Sequence, residues 1–190
     1  MTLSFALEAK RHFDPVAQQF GLTFAASNER VVRYENDKVF LEVDFDNGRS
    51  FELGVEIGKK DVRYPGPPFS LAEILRLRGI QDTAAAYALM ASDETRVQTT
   101  LARLAGLTAD HAADFLMGSD FSFAQVEKLR NKESAEFELA SQLRHARSAV
   151  ETAWSVRDYA TVVKVLTPLE NHLSPAEEKR LDYSRKQLAP

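Results

Sequence analysis

Asp110, His111 and Asp114 are the residues of this chain whose types and spacing come closest to a metal site. On a helix His111 and Asp114 are neighbours on one face, so an imidazole and a carboxylate could share a cation. A hydrogen bond along the helix surface uses the same spacing and needs no metal. The other histidines, His12, His145 and His172, fall on separate elements, and no H-E-x-x-H arrangement is present. No serine sits in G-x-S-x-G, and neither G-x-G-x-x-G nor G-x-x-x-x-G-K occurs. The chain has no cysteine, which removes thiolate nucleophiles, iron–sulfur clusters and Cys-ligated zinc together. These features predict a non-enzymatic protein with no catalytic residue, cofactor or metal. The enzymatic alternative is a site that folding alone assembles from distant carboxylates.

The second candidate chemistry is electrostatic. Residues 31–60, "VVRYENDKVFLEVDFDNGRSFELGVEIGKK", alternate apolar and polar residues, and Asp or Glu fills many polar positions. Such alternation marks antiparallel strands with one buried and one wet face. A two-residue loop at Asn36-Asp37 would pair Tyr34 with Val39 and Val32 with Leu41. A three-residue loop, Asp46-Asn47-Gly48, with Gly48 left-handed, would pair Val43 with Phe51, Leu41 with Leu53 and Val39 with Val55. On the outer face this register sets Lys38 between Glu35 and Glu56 and lays Phe40 over Gly54. It also sets Glu42 opposite Glu52, with Asp44 one pleat away. Like charges directly opposite cost up to about 1 kcal/mol. Glu42, Asp44 and Glu52 are therefore the candidate protein-binding residues, because the sheet keeps them against its own stability.

The elements that position these residues follow from periodicity and caps. Residues 3–20 read as a helix with Asp14-Pro15 as an internal capping signal and Gly21 as terminator, and "LTFAA" leads into the strands. "DVRYPGPPF" breaks all periodicity. Ser70 and Glu73 form a capping box for a helix ending at Gly79. Asp82 caps a further helix over "TAAAYALM", and Ser92 or Asp93 caps the next, which ends at Gly106. Thr108 opens a short helix that stops at Gly118, Ser122 and Gln125 begin a long amphipathic one with a break near Asn131, and Ser174-Pro175 starts the last. The fold class is α+β: an N-terminal helix on a three- or four-stranded antiparallel meander, then a mainly helical second half. The expected organisation is a meander domain over 1–64, a Pro/Gly linker over 65–69, and a helical region over 70–190.

Net charge is −4, from 24 basic and 28 acidic side chains, so no global attraction for nucleic acid or anionic lipid exists. No apolar run approaches the roughly 20 residues a membrane helix needs, and no signal peptide is visible, so a cytoplasmic location is expected. "TLARLAGLTADHAADFL", residues 100–116, resembles a bacterial helix-turn-helix, with Ala102 at the close packing point, Gly106 at the turn, and Thr108, Ala112 and Phe115 on the second helix. That resemblance implies DNA binding. Its second helix departs from the pattern in carrying Asp110 and Asp114, which phosphates repel. Residues 153–188 resemble a single tetratricopeptide repeat: Trp154 ends a first helix, Arg157-Asp158-Tyr159 stands at the interhelix turn, and Ser174-Pro175 starts a following helix. Val162, Val163 and Pro168 depart from that family's pattern.

The N-terminal order of "VRYEN", "VFLEVDFDNGRSFELGVEIG" and "FSLAEILRLRG" resembles small bacterial proteins of uncharacterised type, some found among toxin-immunity proteins. The resemblance implies a protein that binds another protein and masks a basic, nuclease-like surface with carboxylates. The leading expectation is thus a basic protein partner held by the acidic strand face.

Overall fold

The computed structural model describes residues 5–60, 66–80, 93–189 and the backbone of 89–90. Helix α1, Phe5–Gln19, buries Phe5, Ala9, Phe13, Val16 and Ala17, a stripe at helical spacing. It runs through Pro15 rather than restarting there. Asp14 faces the sheet instead, and its carboxylate accepts the Tyr34 hydroxyl at 2.7 Å. Gly21 ends the helix in a left-handed turn (φ 68°), with the Leu22 N–H donating to the Ala17 carbonyl.

Strands β1 (Thr23–Ser27), β2 (Val31–Glu35), β3 (Val39–Phe45), β4 (Glu52–Lys59) and β5 (Phe69–Ser70) pair antiparallel in that order. Strand β6 (Leu89–Met90) adds to β4 beside β5. The fold is α+β, with "LTFAA" and the short β5 and β6 extending the meander beyond the expected three or four strands. β1 carries a register shift between Phe24 and Ala26. β5 pairs with Glu56 and Ile57 of β4, whereas β6 pairs with Glu52 and Leu53.

The core face is the expected one, but the partners across it differ. Tyr34 faces Leu41 and Val32 faces Val43, because the first loop is Asp37-Lys38. The Asn36 Oδ1 accepts the N–H groups of Lys38 and Val39, which moves the turn one residue onward. In the second hairpin Leu41 faces Ile57, Val43 faces Val55 and Phe45 faces Leu53. The loop is longer than three residues: the Asp46 N–H bonds the Glu52 carbonyl, and the Asp46 carboxylate accepts the Ser50 N–H and hydroxyl. Phe51 (φ 56°), not Gly48, takes the left-handed conformation.

Helix α2 (Leu71–Leu77) starts at the Ser70–Glu73 capping box and ends at Gly79. Of the helix expected over 83–90, Asp82 and residues 83–88 lie outside the described residues, and Leu89–Met90 form β6; Ser92 also lies outside them. Asp93 caps α3, Glu94–His111, which passes through Gly106 without a turn. Val97, Leu101, Leu104, Ala105 and Thr108 are buried along it. That burial outweighs the roughly 1 kcal/mol that a helical glycine costs. Thr108 therefore caps nothing; its hydroxyl donates back to the Leu104 carbonyl at 2.7 Å. The break falls at Ala112, before the short α4 (Ala113–Leu116).

Helix α5 spans Asp120–Ser155, 36 residues, unbroken at Asn131. It starts two residues before Ser122, whose hydroxyl bonds Asp114 instead of serving as the expected cap. Contacts divide the chain into compact units at Arg130/Asn131, so the described helices between Leu71 and Arg130 belong with the sheet, where the pattern places a boundary at 65–69. Phe69, inside that expected linker, is buried in the first unit's core with Phe115 and Phe123. In the second unit, α6 (Tyr159–Leu166), a 3-10 turn (Thr167–His172) and α7 (Pro175–Leu188) follow α5. Val150, Ala153, Val162, Leu166 and Leu181 form its small core. Trp154 and Tyr183 each pack edge to face against Tyr159 and are tilted against each other, with ring centroids 5.7 to 5.9 Å apart. Among the described residues no helix is long and apolar enough to cross a membrane.

Candidate functional site

The alternation that buries Leu41, Val43, Val55 and Ile57 sends Phe40, Glu42, Asp44, Gly54, Glu56 and Gly58 to the opposite face. Glu42 lies between Arg33 of β2 and Glu56 of β4, not opposite Glu52. Arg33 donates to Glu42 at 3.2 Å and reaches Glu35 at 3.4 Å, and Lys60 closes on Glu35 at 2.8 Å. The row expected to lack a cation is thus compensated at Glu42. The Arg33 guanidinium also stacks 3.9 Å over the Phe40 ring. Phe40 in turn covers Gly58 rather than Gly54, occupying the space a Cβ there would need.

Gly54 is covered by Asp44. The two face each other across the β3–β4 ladder, and a Cβ on Gly54 would overlap the Asp44 carboxylate. Among the described residues Asp44 makes no ion pair, and its own backbone is the donor that favours its charge. Burial, then the nearby charges of Glu56 and Glu42, push its pKa up to about 6. Glu56 is raised as well, by burial first and then by Glu42 and Glu73.

A groove of about 420 Å3 runs between this part of β4 and α2. Asp44, Glu52, Glu56, Glu73 and Arg76 line it together with Gly54, Leu71 and Ala72. Glu73 is already committed. Burial works against its charge, but Arg130 holds it below the usual carboxylate range through hydrogen bonds of 2.6 and 2.8 Å. Arg130 also donates to the carbonyls of Pro67 and Pro68 and stacks 4.0 Å over Phe69. Glu52, at the end of β4, is exposed. Of the three predicted site residues, Asp44 and Glu52 line the groove and Glu42 borders it within an ion-pair network. Glu56 and Arg33 were missed. Their places depend on register, which alternation does not report.

The other candidates resolve differently. Asp114 accepts both oxygens' worth of hydrogen bonds from Arg78 at 2.6 Å and a further bond from the Ser122 hydroxyl. Burial opposes its charge, yet Arg78 and then Ser122 hold its pKa down. The Arg78 Nε donates to the His111 carbonyl, so His111 joins through backbone rather than imidazole. Residues 100–111 lie in one continuous helix, so the bihelical turn that the helix-turn-helix resemblance requires at Gly106 is missing.

Comparison with protein-family models, curated proteins and solved structures finds no match.

Proposed function

We propose that the protein binds a basic protein partner, seating a Lys or Arg side chain in the groove lined by Asp44, Glu52 and Glu56. The observation that carries this reading is the crowding of these carboxylates: among the described residues none of the three forms an ion pair, while Asp44 and Glu56 have raised pKa values. An incoming ammonium or guanidinium would relieve that repulsion. The resemblance to toxin-immunity proteins supports the same direction, with the partner's basic surface as the thing masked.

The test is an NMR titration with a short Arg- and Gly-containing peptide at about 0.1 M and about 1 M salt. Shifts centred on Asp44, Gly54 and Glu56, weakened by salt and lost in Glu52→Gln/Glu56→Gln, are expected. Shifts spread over all surface acids, or unchanged in the double variant, would remove the groove as the site.

A second reading rests on the same carboxylates. A carboxyl group with a pKa near 6 beside another acid in a groove is suited to general acid/base catalysis. A panel of activated glycosides and esters, assayed with wild type and Asp44→Asn, separates the readings. Turnover that disappears with Asp44→Asn would favour the enzyme, and no turnover with intact peptide binding would favour the binding protein.

A further inference from the structure

A second concavity, of about 540 Å3, opens where the start of β2 meets the β3–β4 loop, and Arg30, Val31, Asp44, Asp46 and Arg49 line it. Asp44 lines the acidic groove as well, so the two depressions meet at that residue. Val31, Asp44 and Gly54 form one row across β2, β3 and β4. Within the row Asp44 leans over Gly54, on the groove side, and the partly exposed Val31 stands on the other side.

Both arginines are exposed and stand on pinned backbone. The Asn28 Oδ1 accepts the N–H groups of Arg30 and Val31 at 2.8 and 2.9 Å, and the Arg30 carbonyl accepts the Phe45 N–H at 2.8 Å. Around Arg49, the Asp46 carboxylate accepts the N–H groups of Gly48 and Ser50 and the Ser50 hydroxyl. The Arg30 guanidinium lies 3.5 Å from where a Cβ on Gly48 would stand, which sets the two loops side by side. The charges of Arg30 and Asp46 interact. Among the described residues, however, neither Arg30 nor Arg49 comes within ion-pair distance of a carboxylate. Cations without an ion-pair partner thus stand beside the carboxylates Asp44, Glu52 and Glu56, which also have none. Neighbouring strands lie about 4.8 Å apart, so β2 and β4 are separated by about 10 Å, the length of about three residues of extended chain.

On the reading that the groove seats a Lys or Arg side chain, we propose that the partner segment is dipolar. It lies extended across the row Val31, Asp44, Gly54, with its cation among Asp44, Glu52 and Glu56 and, about three residues away, an Asp or Glu carboxylate between Arg30 and Arg49. A guanidinium suits that second role because its paired N–H donors match a carboxylate's two oxygens. The acids repel the segment's carboxylate and the arginines repel its cation, so the two clusters together fix which way the segment lies. A uniformly basic segment satisfies only the groove.

Calorimetric and NMR titrations with four capped hexapeptides test this: Gly-Arg-Gly-Gly-Asp-Gly, the same peptide with Arg and Asp exchanged, and each of these with Asn in place of Asp. An Asp peptide is less positive than its Asn counterpart, so the acidic groove alone would bind it more weakly. A dipolar site reverses the sign: in one of the two orders the Asp peptide should bind about fivefold tighter. Its shifts should reach Gly48 and Arg49 as well as Gly54 and Glu56. Arg30→Gln/Arg49→Gln should remove that gain and leave affinity for the Asn peptide intact or higher. Asp peptides no tighter than their Asn counterparts in both orders, or a gain that survives in the double variant, would overturn the dipolar partner while shifts in the groove still uphold cation binding there. No shift in the groove with any of the four peptides would remove both.

Discussion

The acidic residues of the sheet's outer groove and those of the C-terminal helices have the same composition and opposite energetics. In the second unit each of Glu151, Glu170 and Glu177 meets an arginine, Arg180, Arg185 and Arg147 respectively. Glu170 and Glu177 have lowered pKa values, the hydrogen bond from the partnering arginine being the leading cause. In the groove Asp44 and Glu56 are raised. A carboxylate across from a cation serves the fold, whereas one crowded by other carboxylates detracts from it. The groove's acids therefore ask for an explanation outside folding that the helical acids do not.

That contrast can be broken by mutation and pH. The largest effect should come from Arg130→Ala, which strips Glu73 and two proline carbonyls of their donor and returns a charged Glu73 to the groove. A loss of about 3 kcal/mol in urea unfolding is expected, against less than about 1 kcal/mol for the more exposed Arg185→Ala. Equal costs would erase the distinction between the regions. Next, Asp44→Asn should stabilise the protein, by on the order of 2 kcal/mol at neutral pH. Because the folded state raises this pKa to about 6, the contribution of protonated Asp44 is complete below the ordinary carboxylate value and is lost as pH rises through about 6. The gap between variant and wild type should thus close as pH falls toward about 4, and parallel unfolding profiles would refute it.

Glu177→Ala should act in the opposite sense. Arg147, then the Ser174 backbone and hydroxyl, hold Glu177 at about 2, so its contribution is present above the ordinary carboxylate value and lost as pH falls through about 2. Losing this capping-box partner should cost about 1 kcal/mol at neutral pH, read from the thermal midpoint. Glu151→Ala, at an exposed pair, should change stability by no more than about 0.5 kcal/mol. A larger loss there would show that surface pairing in the helices counts for more than the contrast assumes.

How much of this was legible in the sequence depended on which physical feature carried the signal. The faces of β2, β3 and β4 were readable because side chains alternate with a period of two. Their register was not, because the first hairpin differs from expectation by a two-residue slip and the second by a four-residue slip, and an even slip keeps every apolar residue on the same face. Asn36 and Asp46 decided the matter through side-chain bonds to loop N–H groups, and Phe51 took a left-handed conformation that a pattern reserves for Gly48. Helix starts at Ser70, Asp93 and Ser174 were legible from local capping chemistry. The helix through Gly106 was not, since the burial of five of its own side chains against the rest of the core overrode a local break. The outer face of Asp44 could be read from alternation alone, whereas Glu56 became its neighbour only through register.

The margins of the sheet also bear on how the protein behaves in concentrated solution. On the far side of β4, β6 pairs with Glu52 and Leu53 and β5 with Glu56 and Ile57, which leaves two-residue gaps at Gly54-Val55 and Gly58-Lys59, while the other outermost strand, β1, carries a register shift near Phe24. An extended segment from another molecule therefore finds no long, straight row of unpaired N–H and C=O groups to join at either margin. Ordered stacking of sheets into fibrils is disfavoured by the same short strands that interrupt the β4 margin.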